Sequence, residues 1–141
     1  MSNEATVRTG IQIIVGGLIY RPPTASFNVD VSAARGPTPG LVVVPILGID
    51  VDLSGLTTPG LCRISNYDTT NFITYGIGDA VTNEFYPLGE VGPEESYILK
   101  LSRNLGSDLD SLTTGTGSGT KTLRLVADTA VCNCSVEAFE K

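Results

Sequence analysis

Apolar and polar residues alternate with a period of two along most of this chain. Phe27, Val29 and Val31 fall on one side of a segment whose other side is Asn28, Asp30 and Ser32. Ile49, Val51 and Leu53 oppose Asp50, Asp52 and Ser54 in the same way, and Tyr97, Leu99 and Leu101 oppose Ile98, Lys100 and Ser102. Successive side chains of a strand point to opposite faces, so each segment reads as a half-buried strand of an antiparallel sheet. TVRTGIQIIVG, rich in β-branched residues, is a further strand, and TLRLVAD and VCNCSVEAFE close the chain. No apolar stripe of helical period runs for three turns.

Turn-formers separate these runs: RPPT, RGPTPG, TTPG, NYDTTN, EVGPEE and GTGSGT. Each supplies a fixed φ, a positive φ or a side-chain cap. The expected fold is therefore all-β and mostly antiparallel, a single β-sandwich or jelly-roll-like barrel of about eight to ten strands. LVVVPIL contains Pro45, which has no N–H for a ladder, so this strand belongs at an edge or carries a bulge. Residues 63–78, RISNYDTTNFITYGIG, read as strand, polar turn and strand, a compact hairpin. Asn66 and Asp68 can each hold that turn by bonding backbone two residues on, with Asn71 closing it from the other side.

Composition narrows the class. A chain of 141 residues is most simply one domain, 1–141, and one of that size buries roughly 68–70% of its unfolded surface. Charged residues make up 17%, and the chain has 16 glycines and 8 prolines. Low charge with many turns suits a β protein whose surface is partly covered by neighbours. The 9 basic residues are scattered among 15 acidic ones, which leaves no basic cluster for nucleic acid or for an anionic membrane. The first ten residues lack a cationic region followed by an apolar core, and GIQIIVGGLIY is too short to span a bilayer. The expectation is a chain made in a cytoplasm with no membrane partner.

Candidate chemistry is sparse. With no histidine, the usual general base and the commonest metal ligand are missing, and the chain reads as a non-enzyme without cofactor or metal. Asp50 and Asp52 share a solvated strand face, while Asp108 and Asp110 in SDLD offer calcium as the sharper alternative, without the spacing of a twelve-residue calcium loop. GTGSGTKT has Thr120 where a phosphate loop needs glycine before the lysine. Asn133-Cys134-Ser135 fits a glycosylation acceptor, with no secretory signal to go with it. Cys62, Cys132 and Cys134 are an odd number for a disulfide framework and read as small apolar fillers, a bridge from Cys62 to one of the pair being the alternative.

Three stretches carry a likeness: RISNYDTTNFITYGIG, EFYPLGEVGPEESYILKLSR and TLRLVADTAVCNCSVEAFE. Together, over roughly residues 61–140, they resemble small β-sandwich virion proteins of tailed bacteriophages. In those, an Asn-Asp-x-x-Asn turn leads into a strand ending in glycine. A Phe-x-Pro-Leu element, a Pro-Gly-Glu-like turn and a strand ending in Leu-x-Arg follow, and an Ala-Asp-x-Ala turn joins the last two strands. The counterparts here are Asn66, Asp68 and Asn71; Phe85, Pro87 and Leu88; Pro93, Glu94 and Glu95; and Ala127, Asp128 and Ala130, with Glu94 where glycine is usual. The resemblance implies a structural component of a phage particle, located in the virion. A capsid decoration or cement protein that bridges capsid subunits leads, and a neck, tail-tube or baseplate protein is the alternative. A surface sugar-binding module is the alternative of another class.

Two surfaces are expected to mediate assembly. Residues 1–15 read as an amino-terminal arm or exchanged strand, with residues 6–15 pairing with a neighbouring subunit or with the major capsid protein; an ordinary internal strand is the competing reading. LVVVPIL holds more apolar residues than one buried face can use, and the surplus should be covered by another copy, most naturally in a trimer. The candidate interface residues are Thr6, Ile11, Ile13, Val15, Val43 and Ile46.

Overall fold

A computed structural model describes residues 3–31, 35–79, 83–102, 105 and 122–141. All regular structure among them is strand: β1 (Asn3–Thr9), β2 (Ile13–Val15), β3 (Leu18–Tyr20), β4 (Ala25–Val31), β5 (Thr38–Val44), β6 (Ile49–Asp50), β7 (Pro59–Asn66), β8 (Ile73–Asp79), β9 (Glu84–Val91), β10 (Ser96–Lys100), β11 (Thr122–Ala127) and β12 (Cys132–Glu140). The eight strands from β5 onward form two four-stranded antiparallel sheets, in the orders β10-β7-β12-β5 and β6-β11-β8-β9. Pairing is nested: β5 with β12, β6 with β11, β7 with β10, β8 with β9. That is one long hairpin rolled up on itself, the topology of a jelly roll. The all-β expectation holds.

Alternation builds the core between the sheets. Cys132, Cys134, Val136 and Ala138 of β12 face inward beside Cys62 and Ile64 of β7, and meet Ile73, Leu123, Leu125 and Val91 of the other sheet. Val51, Leu56 and Leu105 add to the same cluster from the connections. All three cysteines are free and buried, as the filler reading expects. Burial pushes the thiol of Cys62 up to about 12 and that of Cys134 up to about 11, so both stay neutral and inert.

Two readings of local structure need correction. Residues 63–78 are not a hairpin. β7 pairs with β10 and β12, whereas β8 pairs with β11 and β9, so the turn between them carries the chain from one sheet to the other. The turn chemistry itself is as expected: Asn66 Oδ1 accepts from the N–H of Asp68, and Asp68 Oδ1 accepts from the N–H groups of Thr70 and Asn71. What alternation cannot convey is that a buried Asn66 also reaches the carbonyls of Val91 and Gly92 in the next connection. The segment IDVDLS is strand only over Ile49–Asp50, because the Asp52 carboxylate caps the N–H of Ser54 and turns the chain away. Bonds from the Ser54 hydroxyl and from its N–H hold the Asp52 carboxyl below the usual range.

Pro45 behaves as expected. β5 stops at Val44 and lies at the edge of its sheet. On the opposite sheet β9 is also an edge, and Pro87 sits where its register with β8 shifts, leaving Leu88 as the extra residue. Glu94, where the resembling proteins carry glycine, adopts φ 58° in the turn closed by the N–H of Glu95 on the carbonyl of Gly92. A glutamate therefore holds a left-handed position that glycine occupies without strain.

Candidate interaction surface

Residues 3–31 build a structure of their own. β1 and β4 pair antiparallel over their full lengths, from Asn3 opposite Val31 to Thr9 opposite Ala25. Gly10 and the Pro22-Pro23 pair interrupt the ladder, since proline offers no donor, and a shallow groove of about 230 Å³ opens at this joint. Beyond it the hairpin resumes as β2 and β3, with Ile13 opposite Tyr20 and Val15 opposite Leu18. Gly16 and Gly17 form the two-residue turn, with Gly16 at φ 56°, the positive φ that a hairpin turn of this length requires. The arm is thus one long β-hairpin.

Its two parts differ in surface. Along β1 and β4 the polar residues Thr6, Arg8, Ser26, Asn28 and Asp30 share one face, and the Thr6 hydroxyl bonds the Asn28 side chain across the strands. Val7 and Val29 lie buried on the other face, outside the sandwich's core cluster. The tip has no such division. Ile14, Val15, Leu18, Ile19 and Tyr20 are all half or more exposed, Val15 and Ile19 by two thirds, so both faces of the β2–β3 hairpin present aliphatic side chains to solvent. No charged residue lies between Arg8 and Arg21. A two-stranded hairpin is marginal in water, and large exposed apolar patches mark surfaces that bind something.

A second apolar surface lies on the sandwich. On β5, Val42 and Val44 face the core, while Leu41 and Val43 face outward, Leu41 with 81% of its surface exposed. The turn after β5 continues the patch with Ile46 and with Leu47, 83% exposed, and Val131 enters β12 beside it. That turn is firmly held. Gly48 N–H bonds the Pro45 carbonyl, and the Arg124 guanidinium bonds the Leu47 carbonyl at 3.0 Å and the Asp50 carboxylate at 2.8 Å. Arg124 is only 5% exposed although it lies on the outer face of its sheet. It fits there because its neighbours across β8 are Gly76 and Gly78; a Cβ at Gly78 would collide with the Arg124 side chain.

Of the six interface residues expected from sequence, Ile11, Val15, Val43 and Ile46 are half or more exposed, and Ile13 is partly buried. Thr6 is exposed but sits on the polar face of the ribbon, engaged with Asn28. Residues 6–9 and 13–15 already have strand partners within their own chain, so the picture of a single unpaired strand gives way to a hairpin. Leu18, Ile19, Tyr20, Leu41, Leu47 and Val131 were missed. Gly16-Gly17 between apolar runs was the available signal for the first three.

The chemistry-bearing residues are accounted for locally. Asp50 bonds Arg124, and Asp52 caps its turn. Asn133 is exposed on β12, with Cys134 buried and Ser135 bonded to the Tyr67 hydroxyl. Asp108, Asp110 and the glycine-rich GTGSGTK lie outside the described residues. Among those described, no group of three His, Cys, Asp or Glu could hold a metal ion, and no helix is long and apolar enough to cross a membrane. Comparison of the chain with protein-family models, with curated proteins and with solved structures returned no match in any of the three.

Proposed function

We propose that this chain is a structural component of a tailed-phage particle, a decoration or cement protein that stabilises the head by bridging capsid subunits. The observation that carries the reading is the pair of exposed apolar surfaces, the arm tip and the β5 edge, on a jelly roll. Surfaces of this kind are costly to leave wet and are used by proteins that are packed against others. The resemblance of three stretches to small virion proteins is the reason for naming a phage particle, and the jelly roll is a fold that capsid and lectin domains use. Fold alone does not choose between those two, since function lies in the site. The apolar, uncharged character of both surfaces favours protein partners over a sugar, whose recognition rests on convergent polar groups and stacked aromatic rings.

The test is a quantitative gel of purified particles of the phage that encodes the chain. A 14.8 kDa band near parity with the major capsid protein is expected. A copy number far below parity assigns the chain to the neck, tail tube or baseplate instead. Its absence from particles, together with binding of the isolated protein to a glycan panel, overturns the reading in favour of a ligand-binding module.

A further inference from the structure

We infer that the arm tip of one copy docks on the β5 edge of a second copy, adding its strands to that sheet; this rests on the reading of the chain as an assembly protein and names the first partner of its arm. Four features of the molecule support this pairing.

The first is reach. Fourteen residues from Asn3 to Gly16, at ~3.3 Å per residue, give the hairpin a contour of about 45 Å. A sandwich of this size has a radius of gyration of only about 13 Å. The tip is exposed on both faces, so its own sandwich does not cover it, and it is long enough to reach another. The second is area. Ile11, Ile14, Val15, Leu18, Ile19 and Tyr20 each leave half or more of their surface free. That is roughly 600–700 Å² in all, close to the ~800 Å² per partner of a specific interface. The β5 edge offers Leu41, Val43, Ile46, Leu47 and Val131 in return.

The third is the backbone. β5 is an edge, with a row of groups facing away from its sheet, and Gly40–Val44 is a run of five residues without proline between Pro39 and Pro45. A strand as short as β2 or β3 fits that run, and the flanking prolines fix where it can pair. The fourth is charge. Neither surface carries a charged side chain of its own. Through residue 31 the arm has two acidic and two basic residues, so the whole net charge of −6 lies on the rest of the chain. Arg8 and Arg21 bracket the tip and approach an acidic body when it docks. Such a contact joins two different surfaces, so it makes a reciprocal pair, a ring such as the trimer where its rotation closes, or an open filament where it does not.

Disulfide trapping on the full chain tests the contact. The native thiols are buried and held neutral, so they do not interfere. Val15→Cys and Leu41→Cys proteins, mixed and mildly oxidised, are expected to give the mixed disulfide several-fold in excess of either homodimer. Wild-type protein should sediment as a multiple of 14.8 kDa, and Leu41→Asp with Leu47→Asp, both at exposed positions, should sediment as a folded monomer. A wild-type protein that stays monomeric at high concentration overturns the inference, as does a Val15→Cys homodimer that outcompetes the mixed species. The two readings fail separately. A self-associating chain absent from particles contradicts the virion assignment alone, and a particle-bound chain that is monomeric in solution and untrapped on the particle contradicts this one alone.

Discussion

Replacing Arg124 with methionine is expected to lower the unfolding free energy by about 3 kcal/mol, the lower end of the range for breaking a buried ion pair. Methionine keeps the aliphatic stem that lies over Gly76 and Gly78 but removes the guanidinium. The Asp50 carboxylate, the Leu47 carbonyl and the Asn83 side chain, at 2.8, 3.0 and 3.4 Å, each lose their bond to the guanidinium. Asp50 is about a quarter exposed, so water takes over part of its solvation and the loss stays at the low end. Urea unfolding followed by circular dichroism should show a lower midpoint with an unchanged slope. The effect reaches the interface, because Leu47 and Ile46 ride on the turn that Arg124 holds. The variant should therefore also self-associate more weakly than its residual stability alone predicts.

Asn66→Ala is expected to cost about 3–4 kcal/mol, from several hydrogen bonds lost and buried carbonyls left unpaired. The Asn66 amide, 2% exposed, donates to the carbonyls of Asn71 at 2.8 Å, Gly92 at 3.1 Å and Val91 at 3.3 Å. It thereby joins the β7–β8 connection to the β9–β10 connection, one layer to the other. Asn66→Asp, identical in shape, should be worse at neutral pH because it sets a carboxylate against three carbonyl oxygens. The neighbouring Asp68 adds a pH signature. Backbone N–H groups of Asn71 and Thr70 hold its carboxyl below the usual range, so its folded pKa lies under its unfolded one. Its stabilisation is complete above about pH 4 and is lost as pH falls through the lowered value. Asp68→Asn should flatten that acid limb.

How far the sequence reaches can be judged residue by residue. Period-two alternation reports which face a residue takes, and it placed Phe27, Val29 and Val31 together, Cys132 with Cys134, and Tyr97 with Leu99. Pro45 marked the edge strand because a missing N–H is a local property. Partner choice is not local, and so residues 63–78 read as a hairpin although their strands lie in different layers. The buried Arg124 was invisible for the same reason: a polar residue in LRL alternates onto the outer face, and only the register with Gly76 and Gly78 makes that face a pocket. At the tip, Gly16-Gly17 carried the turn, yet an unbroken apolar run masked it and the arm read as one strand. Four of the six expected interface residues are well exposed, because apolar surplus is legible in composition; which strands present that surplus depends on pairing.

The central claim is that the arm tip and the β5 edge are the surfaces this chain covers on assembly. Amide hydrogen exchange, compared between the dilute free chain and the chain in assembled particles, measures it directly. The tip, residues 11–20, and those amides of residues 40–47 that point away from β12 should exchange faster than the core in the first and become strongly protected in the second, while the core strands β7 and β12 stay protected in both. Tip and edge amides that exchange equally fast in the two states would contradict the account.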